Sequence, residues 1–152
     1  MRRESNIAIG QNAGKDDLIR SGNQHSALDR KTVLVVEDIS SNYLLISAML
    51  SKHYNLLHAV NGEQAVAMVK EYKIDLLLMD MKMPVMDGLT ATAEIRKFDT
   101  NIPIVALTAH AFESDKVAAL KSGCNDYLVK PVDKARLMSV LRKYYHPSTL
   151  VL

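Results

Sequence analysis

Short apolar runs that alternate with longer segments of helical period constrain the fold of this chain most strongly. The alternation begins at residue 31 and gives five candidate strands: VLVV (33–36), NLLHAV (55–60), LLLM (76–79), PIVAL (103–107) and YLV (127–129). NLLHAV is the weakest of the five. Short apolar runs are typical of strands buried on both faces, and each is followed by a segment that can form the crossover of a parallel pair. The pattern predicts an α/β domain with a doubly wound, five-stranded parallel sheet.

Residue patterns in the helical segments indicate which face is buried and where each helix begins or ends. They span residues 40–52, 62–72, 89–98, 112–122 and 133–145. In the first segment Leu45, Ala48 and Met49 share one face, which is predicted to be the apolar one. Polar residues and a glycine at the boundaries predict two N-caps and one helix end: Asn61, Asp133 and Gly123.

The segments outside this alternation lack a sustained apolar period. Residues 1–30 contain five Lys or Arg and four Asp or Glu among Gly, Asn, Gln and Ser, which indicates a linker or weakly ordered arm. Residues 31–146 form the predicted domain, and 147–152 form a C-terminal tail. The chain has 152 residues, of which 48% are hydrophobic and 24% charged. This balance is that of one globular domain with a real core.

Charge, hydropathy and cysteine content exclude several classes of protein. From residue 31 onward 14 Lys or Arg accompany 13 Asp or Glu, so no basic footprint for direct nucleic-acid binding is present. No stretch approaches the roughly 18 consecutive apolar residues of a membrane span, and no apolar signal core follows the N-terminus. We therefore expect a cytoplasmic domain without membrane contact. The single cysteine, Cys124, excludes an internal disulfide and is predicted to be a small loop or core residue.

Four of the predicted strands end in polar residues. Glu37 and Asp38 follow the first strand, Asp80 the third, Thr108 the fourth, and Lys130 the fifth. Ligands of open α/β sheets bind outside the carboxyl ends of the strands. These side chains are therefore expected to line one crevice.

The residue types in that crevice indicate phosphoryl transfer. Three carboxylates in one pocket repel one another unless a cation is present, and Mg²⁺ favours such oxygen ligands together with water and phosphate. The absence of His and Cys from the set argues against zinc. Lys130 and the Thr108 hydroxyl suit the oxygens of a transferring phosphoryl group. Asp80 is then the predicted nucleophile, which forms an acyl phosphate.

Each of these residues also has an ordinary structural interpretation. Asp80 alone could be a turn residue, Thr108 a helix cap and Lys130 a surface lysine, and the acidic pair could cap the following helix. The functional interpretation depends on their joint occurrence at the strand ends.

Four motifs resemble the receiver domain of two-component response regulators, most closely the receivers of hybrid histidine kinases. They are VLVVED (33–38), LLLMDMKMPVMDG (76–88), IVALTAHA (104–111) and DYLVKPV (126–132). The resemblance covers nearly all of the predicted domain. It implies a flavodoxin-like, three-layer (βα)5 fold with strand order 2-1-3-4-5.

The resemblance also implies a role for individual residues. Asp80 is the implied phosphoacceptor, and the implied Mg²⁺ ligands are Asp38, Glu37 chiefly through water, Asp80, and the backbone carbonyl of Lys82. Thr108 and Lys130 are the implied phosphate-binding and catalytic residues. The Lys130–Pro131 bond is expected to be cis.

A conformational switch and a class of partner follow from the same resemblance. Phosphate on Asp80 is expected to draw Thr108 inward, so that Tyr127 fills the vacated space and the surface of the fourth helix, fifth strand and fifth helix changes. The expected phosphoryl donor is a histidine kinase or a histidine phosphotransfer domain. Lys82 and His110 occupy variable positions that influence hydrolysis in this family, so the phosphate lifetime stays open.

Several alternatives remain open at the level of the sequence. The chain is expected to be a phosphoacceptor signalling domain rather than an enzyme, although an aspartate-nucleophile phosphatase also places an aspartate after a buried strand. Such phosphatases usually have a second acid two residues later, where this chain has Lys82. A degenerate receiver that acts only as an interaction module is the third class. The sequence also leaves open homodimer formation, and whether the domain stands alone or is the C-terminal receiver of a hybrid kinase that is itself membrane-anchored.

Overall fold

Strands and helices alternate along residues 30–145, which are the residues that the structure, a computed structural model, describes. The strands are β1 Thr32–Val36, β2 Asn55–Ala59, β3 Leu76–Asp80, β4 Ile104–Thr108 and β5 Asp126–Val129. The helices are α1 Ser40–Leu50, α2 Gly62–Glu71, α3 Gly88–Arg96, α4 Glu113–Ser122 and α5 Lys134–Tyr144. All ten elements agree with the predicted order and type. The predictions of an arm over 1–30 and a tail over 147–152 lie almost entirely outside the described residues.

The five strands form one parallel sheet in the order β2-β1-β3-β4-β5. This confirms the doubly wound, flavodoxin-like fold. Chain order and sheet order differ because β1 lies between β2 and β3. The reversal of winding at β1 and β3 places their carboxyl ends beside the crevice in which such sheets bind ligands.

Helices cover both faces of the sheet and give three layers. Alternate strand residues enter two separate cores, since successive side chains of a strand point to opposite faces. Leu34 and Val36 pack with residues of α2, α3 and α4, whereas Val33 and Val35 pack with residues of α1 and α5. The strands are therefore apolar throughout, as the short continuous runs predicted.

Two strands extend one residue beyond the carboxyl end of the predicted apolar runs. Asp80 and Thr108 are the last residues of β3 and β4, because Asp80 still pairs with Leu107 and Thr108 with Val129. Both polar side chains are thus held by the sheet itself.

The predicted apolar face of α1 is wrong for two of its three residues. The helix buries Ile46 and Leu50, whereas Leu45 is 61% exposed and Ala48 is exposed. Met49 is partly buried and packs against the core, as predicted. Apolar residues occur around most of this helix, so its periodicity does not fix which side faces the sheet.

The predicted helix ends are confirmed by hydrogen bonds and backbone angles. The side chains of Asn61 and Asp133 accept hydrogen bonds from the backbone N–H of Gln64 and Arg136. Gly123 ends α4 with φ +116°, a left-handed conformation that favours glycine. Within residues 30–145 no helix is both long and apolar enough to cross a membrane.

Candidate functional site

Three carboxylates from two neighbouring strands meet at the carboxyl edge of the sheet. Glu37 and Asp38 follow β1, and Asp80 ends β3, the neighbour of β1. One ligand oxygen of each residue lies within 4.8 Å of those of the other two. Glu37 is fully buried, Asp80 is buried and Asp38 is partly exposed. These oxygens form a hard donor set that fits a divalent cation such as Mg²⁺.

Lys130 joins the two buried carboxylates of this cluster. Its Nζ donates to Oε2 of Glu37 at 3.0 Å and lies 3.0 Å from Oδ2 of Asp80. The backbone N–H of Lys130 donates to the Thr108 carbonyl at 2.8 Å, which fixes the chain directly after β5. The following bond, Lys130–Pro131, is cis, the isomer that the resemblance implied.

The electrostatics of the cluster follow from burial and from this shared ammonium group. Burial raises the pKa of Glu37, and the hydrogen bond from Lys130 only partly opposes that effect. Burial alone would lower the pKa of Lys130, but the hydrogen bonds to Asp80 and Glu37 and the negative charges of these two carboxylates together outweigh burial and raise it. Lys130 therefore stays charged and offsets part of the repulsion between the carboxylates. From the sequence, we had expected a metal ion alone to offset this repulsion.

The loop after β3 holds the Asp80 carboxylate in place. The backbone N–H of Lys82 donates to Oδ1 of Asp80 at 3.1 Å, while Oδ2 faces Lys130. Asp87 caps α3 by accepting from the Thr90 N–H at 2.8 Å, a cap that the sequence reasoning missed. Gly88 permits this tight path, because a Cβ atom there would collide with the carbonyl oxygen of Asp80. The Met-Asp-Gly segment (86–88) thus packs tightly against the end of β3.

Thr108 lies beside the cluster but does not contact it through its hydroxyl group. Its Oγ1 donates to the carbonyl of His110 at 3.1 Å and accepts from the His110 N–H at 3.3 Å. Among the described residues, no hydrogen bond joins this hydroxyl to Asp80 or Lys130. The structure therefore brings together four of the predicted site residues, Glu37, Asp38, Asp80 and Lys130. The Thr108 hydroxyl instead forms hydrogen bonds with the backbone of the loop that follows β4.

Tyr127, the predicted switch residue, lies in β5. This strand pairs with β4, which in turn pairs with β3, the strand that ends in Asp80. It is partly buried, and its ring packs against the core formed with α2, α3 and α4. The Nζ of Lys116, on α4, lies 4.9 Å from the centre of that ring, within cation–π distance. This contact links α4 to β5.

One residue to which the sequence gave no chemistry reaches the backbone of the cluster. His58 of β2 places Nε2 2.8 Å from the backbone carbonyl oxygen of Glu37. Its ring stacks on Tyr43 of α1 with a centroid distance of 3.8 Å. Only the strand order could have indicated this contact, because it places β2 next to β1 at the same edge of the sheet.

Comparisons with known proteins place this chain among sequences of one family. The model of the response regulator receiver domain family matches residues 33–142. Hybrid signal transduction histidine kinase M of Dictyostelium discoideum is 40% identical over 119 residues, covering 73% of this chain and 5% of that protein. The chain thus spans only a small part of the length of this curated relative.

Two solved structures are similar in both sequence and fold. The first is the receiver domain of sensor histidine kinase PA1611 from Pseudomonas aeruginosa PAO1, which has a magnesium ion coordinated in its active site cleft. It is 39% identical with a TM-score of 0.71, and the match covers 76% of this chain and 97% of that one. The second is the receiver domain of Ssk1 of Saccharomyces cerevisiae, crystallised with the histidine phosphotransfer protein Ypd1. It is 37% identical with a TM-score of 0.72, over 76% and 88% of the two chains.

Proposed function

This chain belongs to the response regulator receiver domain family, and we propose that it accepts a phosphoryl group on Asp80 in a two-component phosphorelay. The observation that carries the proposal is the meeting of three carboxylates with one ammonium group. Lys130 Nζ lies 3.0 Å from both Glu37 and Asp80, and Asp38 completes the acidic cluster.

The contacts of Asp80 suit a nucleophile that is held in one orientation. Lys82 N–H holds Oδ1 and Lys130 holds Oδ2, so the carboxylate is fixed before a donor arrives. Fixing the reacting group in advance removes part of the entropic barrier of a bimolecular transfer.

In the proposed step, a carboxylate oxygen of Asp80 attacks the phosphorus atom of a phosphohistidine. The new O–P bond forms as the N–P bond breaks, and the electron pair of that bond remains on the histidine nitrogen, which then takes a proton. Hydrolysis of the acyl phosphate later returns inorganic phosphate and the free Asp80 carboxylate.

We assign the divalent ion to the carboxylates of Glu37, Asp38 and Asp80, with Mg²⁺ the ion that this oxygen donor set fits best. The family resemblance adds the Lys82 backbone carbonyl to the proposed ligands. When bound, Mg²⁺ supplies positive charge against the phosphoryl oxygens. Lys130 supplies a second positive charge, and it is already in place beside Asp80.

The proposed switch starts from the contacts of Thr108 and Tyr127. Thr108 must exchange its hydrogen bonds with His110 for one with the phosphoryl group. Tyr127 must then move, which breaks its cation–π contact with Lys116. Both changes would alter the surface formed by α4, β5 and α5, where the output of the domain is proposed to lie.

We propose a histidine kinase or a histidine phosphotransfer domain as the phosphoryl donor, and the cytoplasm as the compartment. The Ssk1 receiver, which resembles this chain, forms a complex with a histidine phosphotransfer protein. The phosphatase alternative is not favoured, since Lys82 occupies the position of its general acid and the family is that of receivers.

Phosphotransfer from a radiolabelled histidine phosphotransfer protein tests this function. With Mg²⁺ present, the label should leave the donor and appear on this chain in an amount that approaches one per molecule. An Asp80→Asn variant is the control and should remain unlabelled. Many turnovers of an aryl phosphate, with no stable label on the chain, would instead indicate a phosphatase.

A further inference from the structure

The carbonyl group of Glu37 is held by a side chain of the neighbouring strand. β1 pairs with β2 up to Val36 and Ala59, and the Glu37 N–H extends that pairing by donating to the Ala59 carbonyl at 3.0 Å. The Glu37 carbonyl, in contrast, accepts from the ring of His58 at 2.8 Å. A carbonyl oxygen cannot donate, so Nε2 of His58 must carry the proton in this contact.

Tyr43 fixes the ring that makes this hydrogen bond. The Tyr43 and His58 rings are stacked with a centroid distance of 3.8 Å and an angle of 6° between their planes. Tyr43 lies in the first turns of α1, and that helix starts two residues after Asp38. The pair therefore connects β2, the Glu37 backbone and α1 around the acidic cluster.

We propose that His58 is a positioning residue for the divalent-ion site, which acts by fixing the backbone from which the Glu37 and Asp38 carboxylates project. The inference rests on the proposed function of the acidic cluster. It assigns His58 no contact with the ion or with the phosphoryl group. Partners that orient metal ligands in this way affect metal affinity although they do not bind the metal.

Two substitutions separate the hydrogen bond from the stacked ring. His58→Phe keeps an aromatic ring for Tyr43 to stack on but removes the donor. His58→Gln keeps an N–H donor of similar reach but removes the ring. The Kd for Mg²⁺ is measured by titration calorimetry on both variants and the original protein, and their melting temperatures are measured in EDTA.

We expect His58→Phe to weaken Mg²⁺ binding by about tenfold, at the lower end of the effects known for residues behind metal ligands. His58→Gln should bind Mg²⁺ nearly as well as the original protein. Unchanged Mg²⁺ affinity in His58→Phe, with or without a lower melting temperature, would overturn the inference and leave the phosphoacceptor proposal intact. Absence of Mg²⁺ binding by the original protein would instead overturn the proposed metal site itself.

The tautomer of His58 gives a second test that needs no variant. Nitrogen-15 NMR of the original protein distinguishes a ring protonated at Nε2 from one protonated only at Nδ1. The hydrogen bond to Glu37 requires a proton on Nε2. A neutral ring protonated only at Nδ1 would overturn the inference even where a variant fails to fold.

Discussion

Lys130 carries the positive charge that the buried carboxylates share in this structure. Its ammonium group lies 3.0 Å from oxygens of both Glu37 and Asp80. The ammonium group and a divalent ion therefore compete to neutralise the same carboxylates. In the proposed metal site, this competition is expected to lower the affinity for the ion.

Removing that positive charge is expected to tighten Mg²⁺ binding. The Lys130→Met variant loses the ammonium group but keeps most of the apolar stem, so the cluster becomes more negative. Its Kd for Mg²⁺ in titration calorimetry should fall by about tenfold, which is about 1.4 kcal/mol. Lys130→Arg, which keeps the charge, is the matched control. Weaker Mg²⁺ binding in Lys130→Met would contradict the competition between the two cations.

The raised pKa of Glu37 predicts a pH dependence of stability. A carboxyl group whose pKa is higher in the folded than in the unfolded state stabilises the fold fully below the unfolded pKa, and this contribution is lost as pH rises through the folded pKa. Burial gives Glu37 a folded pKa above its ordinary 4.5. Without metal, the original protein should therefore lose stability relative to Glu37→Gln as pH rises above 4.5. Urea denaturation in EDTA at a series of pH values measures this difference, and a constant difference would refute it.

The turn from β3 into α3 depends on one close approach between backbone atoms. A Cβ atom at Gly88 would collide with the carbonyl oxygen of Asp80 and with Met81. We expect Gly88→Ala to lower the free energy of unfolding by about 2 kcal/mol, as overpacking of a tight site commonly does. The exposed Thr90 in the same turn is the control, since Thr90→Ala should change stability little. Equal effects in urea denaturation would show that the approach is not tight.

The sequence predicted the strands better than the phase of α1. A strand buried on both faces appears as a continuous apolar run, and β1, β3 and β4 are runs of this kind. In α1, Leu45 and Ile46 are equally apolar neighbours, but only Ile46 is buried. Packing against the sheet decides between them, and local pattern carries no information about that packing.

The candidate site was predictable where topology alone brings residues together. Parallel strands put Asp38 and Asp80 at one edge whatever their side chains do. The Thr108 hydroxyl depends instead on a local choice of hydrogen-bond partner, and it binds the backbone of His110. The His58 contact depends on a side chain crossing from β2 to the Glu37 carbonyl. Rotamer choices of this kind do not follow from a pattern of residue types.

The fold as a whole connects the acidic edge of the sheet with the surface of α4, β5 and α5. The end of β4 carries Thr108, and β5 carries both Tyr127 and the chain that leads to Lys130. The last two strands thus connect the proposed phosphoryl site directly with α4 and α5. In the proposed relay, the sheet supplies a rigid site while these outer elements change position.

The most direct test is the mass of the intact protein after incubation with a small acyl phosphate. With Mg²⁺, we expect an addition of about 80 Da, the mass of one covalent phosphoryl group, and peptide mapping should assign it to Asp80. Addition of EDTA should abolish the gain, and Asp80→Asn should show none. The same gain in Asp80→Asn, or an equal gain with EDTA, would contradict a cation-dependent phosphoacceptor at Asp80.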